Sequence, residues 1–153
     1  MAGSDAVWRR VFKTAVEMRT IKVQVGVLSG QGGETTEDGI TMVELAAIHE
    51  FGSPAANIPE RSFIRRTFVD RVPNELARVI AALTRGVVAE KLGVRQAVGQ
   101  LGAWGAAQVK NTITQSDVPP PLAASTIARK GSSKPLVDTG HLVGAITWKV
   151  TES

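Results

Sequence analysis

Two stretches decide how this chain folds: Ile21-Lys22-Val23-Gln24-Val25-Gly26-Val27 near the beginning and Ile146-Thr147-Trp148-Lys149-Val150-Thr151 near the end. In both, apolar residues alternate with polar or small ones, which is the period of a half-buried strand. A hairpin of two local strands is marginal in water, so the pattern predicts that the first and last strands pair with each other under a cover of helices. The expected fold class is α+β: a small antiparallel sheet, its N-terminal and C-terminal strands paired, packed with several α-helices.

The rest of the chain supplies the helices. Ser4 and Asp5 are candidate caps for a helix over residues 1–20, with Val7, Trp8, Val11, Phe12, Ala15 and Val16 at three- and four-residue spacing. Residues 29–39, rich in glycine and acids, read as a flexible loop. Residues 40–43 read as a second short strand, and residues 44–51 as a short helix stopped by Gly52 and Pro54. A helical region is expected from Pro59, broken at Val72-Pro73 because the residue before proline disfavours the helical conformation. It resumes with Leu76, Val79, Ile80, Leu83 and Val87 on one face. A further helix carries Val94, Val98, Leu101, Gly105, Val109 and Thr112 along a stripe. Its glycines Gly99, Gly102 and Gly105 predict close packing around Trp104, since each weakens the helix by roughly 1 kcal/mol relative to alanine. Pro119-Pro120-Pro121 ends it. Residues 123–129 read as one or two helical turns and residues 130–135 as a flexible basic loop.

At 153 residues, with 43% hydrophobic and 21% charged, the chain suits a single domain with one core. It has no cysteine, so thiolate chemistry and disulfides are excluded. It has no tyrosine and only 5% aromatics, which argues against a stacking platform for bases or sugars. No apolar run has the length of a membrane span, and the charges mixed through residues 1–20 do not suit a signal peptide. Cytoplasmic synthesis without membrane association is therefore expected.

Charge comes in blocks. Residues 1–28 carry net +3, residues 29–60 carry six acids and no Lys or Arg, residues 61–95 net +5 and the remainder net +2. Such blocks suit an acidic part meeting the basic part of a neighbour. They equally describe solvated loops and helix faces.

The chemical motifs are incomplete. Leu136-Val137-Asp138-Thr139-Gly140 is like the active-site loop of dimeric aspartic proteases, but only 13 residues follow Gly140, too few for the strands such a fold places after it. Asp138 or Thr139 as an N-cap before the last strand is the favoured reading. His49-Glu50 is half of a zinc-protease helix, and position 53 is serine where that motif needs histidine. Ser29-Gly30-Gln31-Gly32-Gly33 lacks the Lys-Ser/Thr of a phosphate loop. No catalytic residue, metal ligand or cofactor is expected.

Three segments together resemble the virion-morphogenesis family of tailed bacteriophages, the tail-completion or neck-type head–tail joining proteins. Residues 44–52 (Glu44-Leu45-Ala46-Ala47-Ile48-His49-Glu50-Phe51-Gly52) are similar to that family's A-x-x-H-E-F-G element through Ala46, His49, Glu50, Phe51 and Gly52. Residues 58–65 (Ile58-Pro59-Glu60-Arg61-Ser62-Phe63-Ile64-Arg65) resemble I-P-x-R-x-F-L-R. Residues 130–142, from Lys130 to Leu142, resemble K-G-x-x-x-P-L-x-D-T-G-x-L before a closing strand. The resemblance covers residues 20–152. It implies a non-enzymatic structural protein of the virion, assembled in the host cytoplasm and acting by ring oligomerisation, six-fold or twelve-fold. Its partners would be copies of itself and other neck, connector or tail proteins, with DNA passing through the channel without sequence specificity. The residues expected to meet partners are Glu34, Glu37 and Asp38 in the acidic loop; His49, Glu50, Phe51, Pro59, Arg61, Phe63 and Arg65 around the turn; and Lys130 and Lys134 in the basic loop. A tail-terminator role, or a nucleic-acid-binding module using the basic residues of 61–95, is the alternative.

Overall fold

The structure, a computed structural model, describes residues 2–30, 35–36, 39–115, 118–121, 128 and 140–152. Helix α1 (Ala2–Thr20) runs directly into strand β1 (Ile21–Val27). Helices α2 (Met42–Phe51), α3 (Phe63–Arg65), α4 (Pro73–Val88), α5 (Val94–Thr114) and α6 (His141–Ala145) follow, and strand β2 (Ile146–Glu152) closes the fold.

The two strands pair antiparallel, with Val23 opposite Val150, Val25 opposite Trp148 and Val27 opposite Ile146. The α+β class and the pairing of the terminal strands are as the alternation predicts. These apolar pairs face α5, while Lys22, Gln24 and Lys149 on the other face are exposed. Helix α5 lies close on the sheet because its glycines let it. A Cβ on Gly102 would stand 2.8 Å from both Trp148 Cε3 and Val23 Cγ2, and one on Gly105 would stand 3.2 Å from Val25 Cγ2. The glycines thus serve helix–sheet contact, but around Trp148 rather than the expected Trp104. Trp104 instead lines an apolar groove of about 310 Å³ with Val25, Phe68, Leu76 and Leu101.

The core sits at the other end of α5. Phe63, Val109 and Ile113 are fully buried there, with Ala46, Ala106, Val118, Leu142 and Ile146 around them. Each large apolar side chain buried in such a place contributes roughly 1.5–3 kcal/mol.

Several boundaries differ from the sequence reading. Residues 40–43 form no strand: Thr41 makes a single bridge to Thr35, and helix α2 begins at Met42. The reason is a capping box. The Glu44 backbone N–H donates to Thr41 Oγ1 (3.2 Å), and the Glu44 carboxylate accepts from the Thr41 backbone N–H (2.9 Å). That bond, with the Thr41 hydroxyl, holds the exposed Glu44 carboxyl below its ordinary range. Helix begins again at Phe63, not Pro59, and widens into a π-helical turn over Arg66–Arg71, where the Val72 N–H reaches back to the Thr67 carbonyl (3.0 Å). The expected break at Val72-Pro73 is present, with Pro73 opening α4. Helix α1 starts at Ala2, which puts Asp5 in its first turn instead of at its cap. Helix α6 has Gly140 at its N-cap, in the left-handed conformation (φ +75°).

Candidate functional site

The first two resemblance segments close on one another. Helix α2 ends at Phe51, and Gly52 turns the chain sharply at φ +74°. Only glycine fits: a Cβ there would lie 2.8 Å from the Glu60 nitrogen and 3.1 Å from the Ile58 oxygen. Residues 53 and 58 then pair through two backbone bonds of 2.9 Å, enclosing a tight 3₁₀ turn over Pro54–Ala56.

Glu50 locks this corner. One oxygen of its carboxylate accepts from the Ile64 N–H and the other from the Arg65 N–H, both at 2.9 Å. These are orphan donors of the first turn of α3, so a residue of one helix caps the next. The Arg61 backbone N–H donates to the His49 carbonyl (2.7 Å). The Arg61 side chain, only 6% exposed, turns inward, and its Nε donates to the Pro120 carbonyl (3.0 Å). Burial lowers its pKa from the usual guanidinium value. On the outer side, the Ser62 hydroxyl stands between the Glu50 carbonyl (3.1 Å) and the Glu60 carboxylate and accepts from Arg65 (2.6 Å). Ser62, and then the Arg65 guanidinium, hold the Glu60 carboxyl below its ordinary range.

These bonds divide the residues expected to meet partners. Glu50, Arg61 and Phe63 are buried and bound within the chain, so they set the corner's shape and offer no contact surface. His49 is half-buried; Phe51 and Pro59 are exposed, and Arg65 is exposed and paired with Glu60. Phe51 stands out, with 75% of its surface open on a rigid turn. Glu34, Glu37, Asp38, Lys130 and Lys134 lie outside the described residues, as do the Asp138-Thr139 pair and, except for residue 128, the turns expected over 123–129.

The basic block of 61–95 does not form one free face. Arg61 is buried, while Arg65 and Arg95 pair with Glu60 and Glu152. Among the described residues no three His, Asp or Glu side chains come together as a metal site would require, and no helix is long and apolar enough to cross a membrane.

Two surfaces were not anticipated. A groove of about 890 Å³ runs between β2 and α5, floored by Gly99, Ala103, Trp148 and Val150. Its signal was the glycine spacing of α5 read together with the alternation of β2. The second is the outer face of α1, where Val7, Trp8, Phe12 and Val16 are exposed. The stripe was legible as helical, but its spacing does not say whether the fold covers it.

Comparison of the chain with protein-family models, with curated proteins and with solved structures finds no match in any of the three.

Proposed function

We propose that this chain is a structural, non-enzymatic protein of the tailed-phage virion, a neck or tail-completion component that forms a ring and docks tail to head. One observation carries the reading. The first two of the segments that resemble the phage family build a single braced corner, and that corner presents Phe51 to solvent while its charged residues are spent on bracing. A rigid turn with an exposed aromatic tip is the form of a docking element, because little order has to be imposed when it binds. The two carboxylate oxygens of Glu50 already cap a helix, which leaves the His49-Glu50 pair poorly suited to activating water.

A ring uses heterologous contacts, each copy presenting one face to a different face of the next. The acid-rich segment 29–60 and the basic segment 61–95 supply unlike faces for such a contact. The alternative reading as a nucleic-acid module draws less support, since three of its basic side chains are buried or paired within the chain.

Electron cryomicroscopy of purified virions, at a resolution that permits chain tracing at the head–tail junction, is the test. A closed ring of this chain with Phe51 seated against a neighbour is the expected result. Absence of the chain from mature particles overturns the proposal, and binding to DNA that weakens steeply with salt would favour the nucleic-acid reading instead.

A further inference from the structure

Helix α1 carries its charges and apolar residues in an order that is complementary to itself. Asp5, Trp8, Phe12, Ala15 and Arg19 recur at spacings of three and four, the spacing of a coiled-coil seam, with Val16 beside Phe12 one turn on. All are exposed: Trp8 to 70% and Phe12 to 74%. The helix is held to the body by its other side, through buried Thr14 and the ion pair of Arg10 with Glu90 (3.4 Å). The seam therefore stands outward on an anchored helix.

Its order is nearly a palindrome about Phe12. Trp8 and Val16 lie four residues to either side, Asp5 and Arg19 seven to either side. Laid antiparallel on a second α1 with Phe12 at the centre, Trp8 meets the second copy's Val16, Phe12 meets Phe12, and Asp5 meets Arg19. Neither Asp5 nor Arg19 makes an ion pair within its own chain among the described residues, so both are available. Arg9 falls beside the second copy's Ala15, where its stem can cover the seam with its charge in water. A parallel arrangement would instead oppose Asp5 to Asp5 and Arg19 to Arg19.

We infer that α1 is a self-association surface: two copies of this chain pair through their first helices, antiparallel, about a two-fold axis at Phe12. The contact is isologous and closes on itself. It is a different surface from the Phe51 corner, and the inference does not rest on the virion reading. The seam spans about 21 Å at 1.5 Å per residue, a small interface, so the dimer is expected to form reversibly with concentration.

The absence of cysteine makes the geometry directly readable. Under mild oxidation of the full chain, Phe12→Cys alone is expected to cross-link to dimer. Trp8→Cys alone and Val16→Cys alone are not, because each would be separated from its own copy by about 12 Å along the seam. An equimolar mixture of those two variants is expected to cross-link. Sedimentation of the cysteine-free chain is expected to show a concentration-dependent dimer, and Phe12→Glu to raise its dissociation constant by about thirtyfold or more. Because Phe12 is exposed, this variant keeps the parent's thermal midpoint at concentrations low enough for the parent to be monomeric. A chain that stays monomeric at every concentration overturns the inference, as does self-cross-linking of Trp8→Cys and Val16→Cys as readily as of Phe12→Cys. Binding of the monomer to anionic lipid vesicles, without self-association, also overturns it and assigns the stripe to a membrane surface.

Discussion

Removing the Glu50 carboxylate tests the corner most directly. The side chain is 9% exposed, and its two oxygens each take one backbone N–H at 2.9 Å. Glu50→Ala leaves both donors short of a partner at the start of α3, directly beside fully buried Phe63. Hydrogen bonds to a charged group contribute about 1.5–3 kcal/mol each, and loss of a helix cap costs about 0.5–2 kcal/mol. Both bonds are only part-buried and Arg65 is exposed, so water can reach its N–H once the carboxylate is gone, and the lower part of the combined range applies. The expected loss is about 3 kcal/mol, or roughly 150-fold in the folded-to-unfolded ratio. For a domain of this length that corresponds to a fall of roughly 6–12 °C in thermal midpoint. Glu50→Gln keeps one acceptor but points an N–H₂ group at the second donor, so it should lose about 2 kcal/mol despite its shape. Urea unfolding followed by far-ultraviolet circular dichroism gives both values by linear extrapolation. If Glu50→Ala stays within about 0.5 kcal/mol of the parent at an unchanged slope, water has replaced the carboxylate and the corner is not braced by it.

Two further substitutions in α5 should differ in sign. Gly102→Ala regains about 1 kcal/mol of helix propensity but drives a methyl to 2.8 Å from both Trp148 and Val23, an overpacking cost of about 1–3 kcal/mol, so it should destabilise. Gly99→Ala meets only Trp148, at 3.4 Å, and should stabilise by about 0.5–1 kcal/mol; thermal melts of the pair decide it. Buried Thr67 and Thr112 share a hydroxyl contact of 2.7 Å that joins the π-helical turn to α5. Each change to valine is expected to cost about 1 kcal/mol, and the double variant less than the two together, because either single change already removes the shared bond, while the remaining hydroxyl keeps its bond to the carbonyl four residues back, Phe63 or Gln108; additive losses in a double-mutant cycle would refute the link.

What was legible in the sequence was periodic and local. The strands over 21–27 and 146–150 and their pairing followed from alternation alone, since each places one apolar face on α5. The break at Val72-Pro73 followed from steric restriction before proline. Where the reading missed, either a local capping signal outweighed side-chain type or information from elsewhere in the chain had decided. Residues 40–43 have strand-like side chains, but Thr41 and Glu44 at capping-box spacing outweigh them, and that signal was present. The glycines of α5 announced close approach without naming what approached. Trp104 was nearer in sequence, while Trp148 arrives from 46 positions away through the register of β2. The π-helical turn had no signature short enough to read.

The site divides along the same line. Glu50, Gly52, Arg61 and Phe63 stand out in a sequence because the corner tolerates little else: a carboxylate between two backbone donors, a turn with no room for Cβ, a guanidinium on two proline carbonyls, and a filled core position. Residues fixed by such internal demands reveal shape and say little about partners. Under the proposed docking role, partner choice would reside in side chains the corner leaves unconstrained, such as Phe51 at its tip and, on a separate helix, Trp8 and Phe12. Phe51→Glu should therefore abolish docking while leaving the thermal midpoint within about 2 °C, since an exposed side chain away from special backbone changes stability by no more than about 0.5 kcal/mol. Glu50→Ala should lose docking only in proportion to lost fold. If both variants lost docking in step with stability, the corner would be scaffold alone and the docking surface would have to be sought on another face.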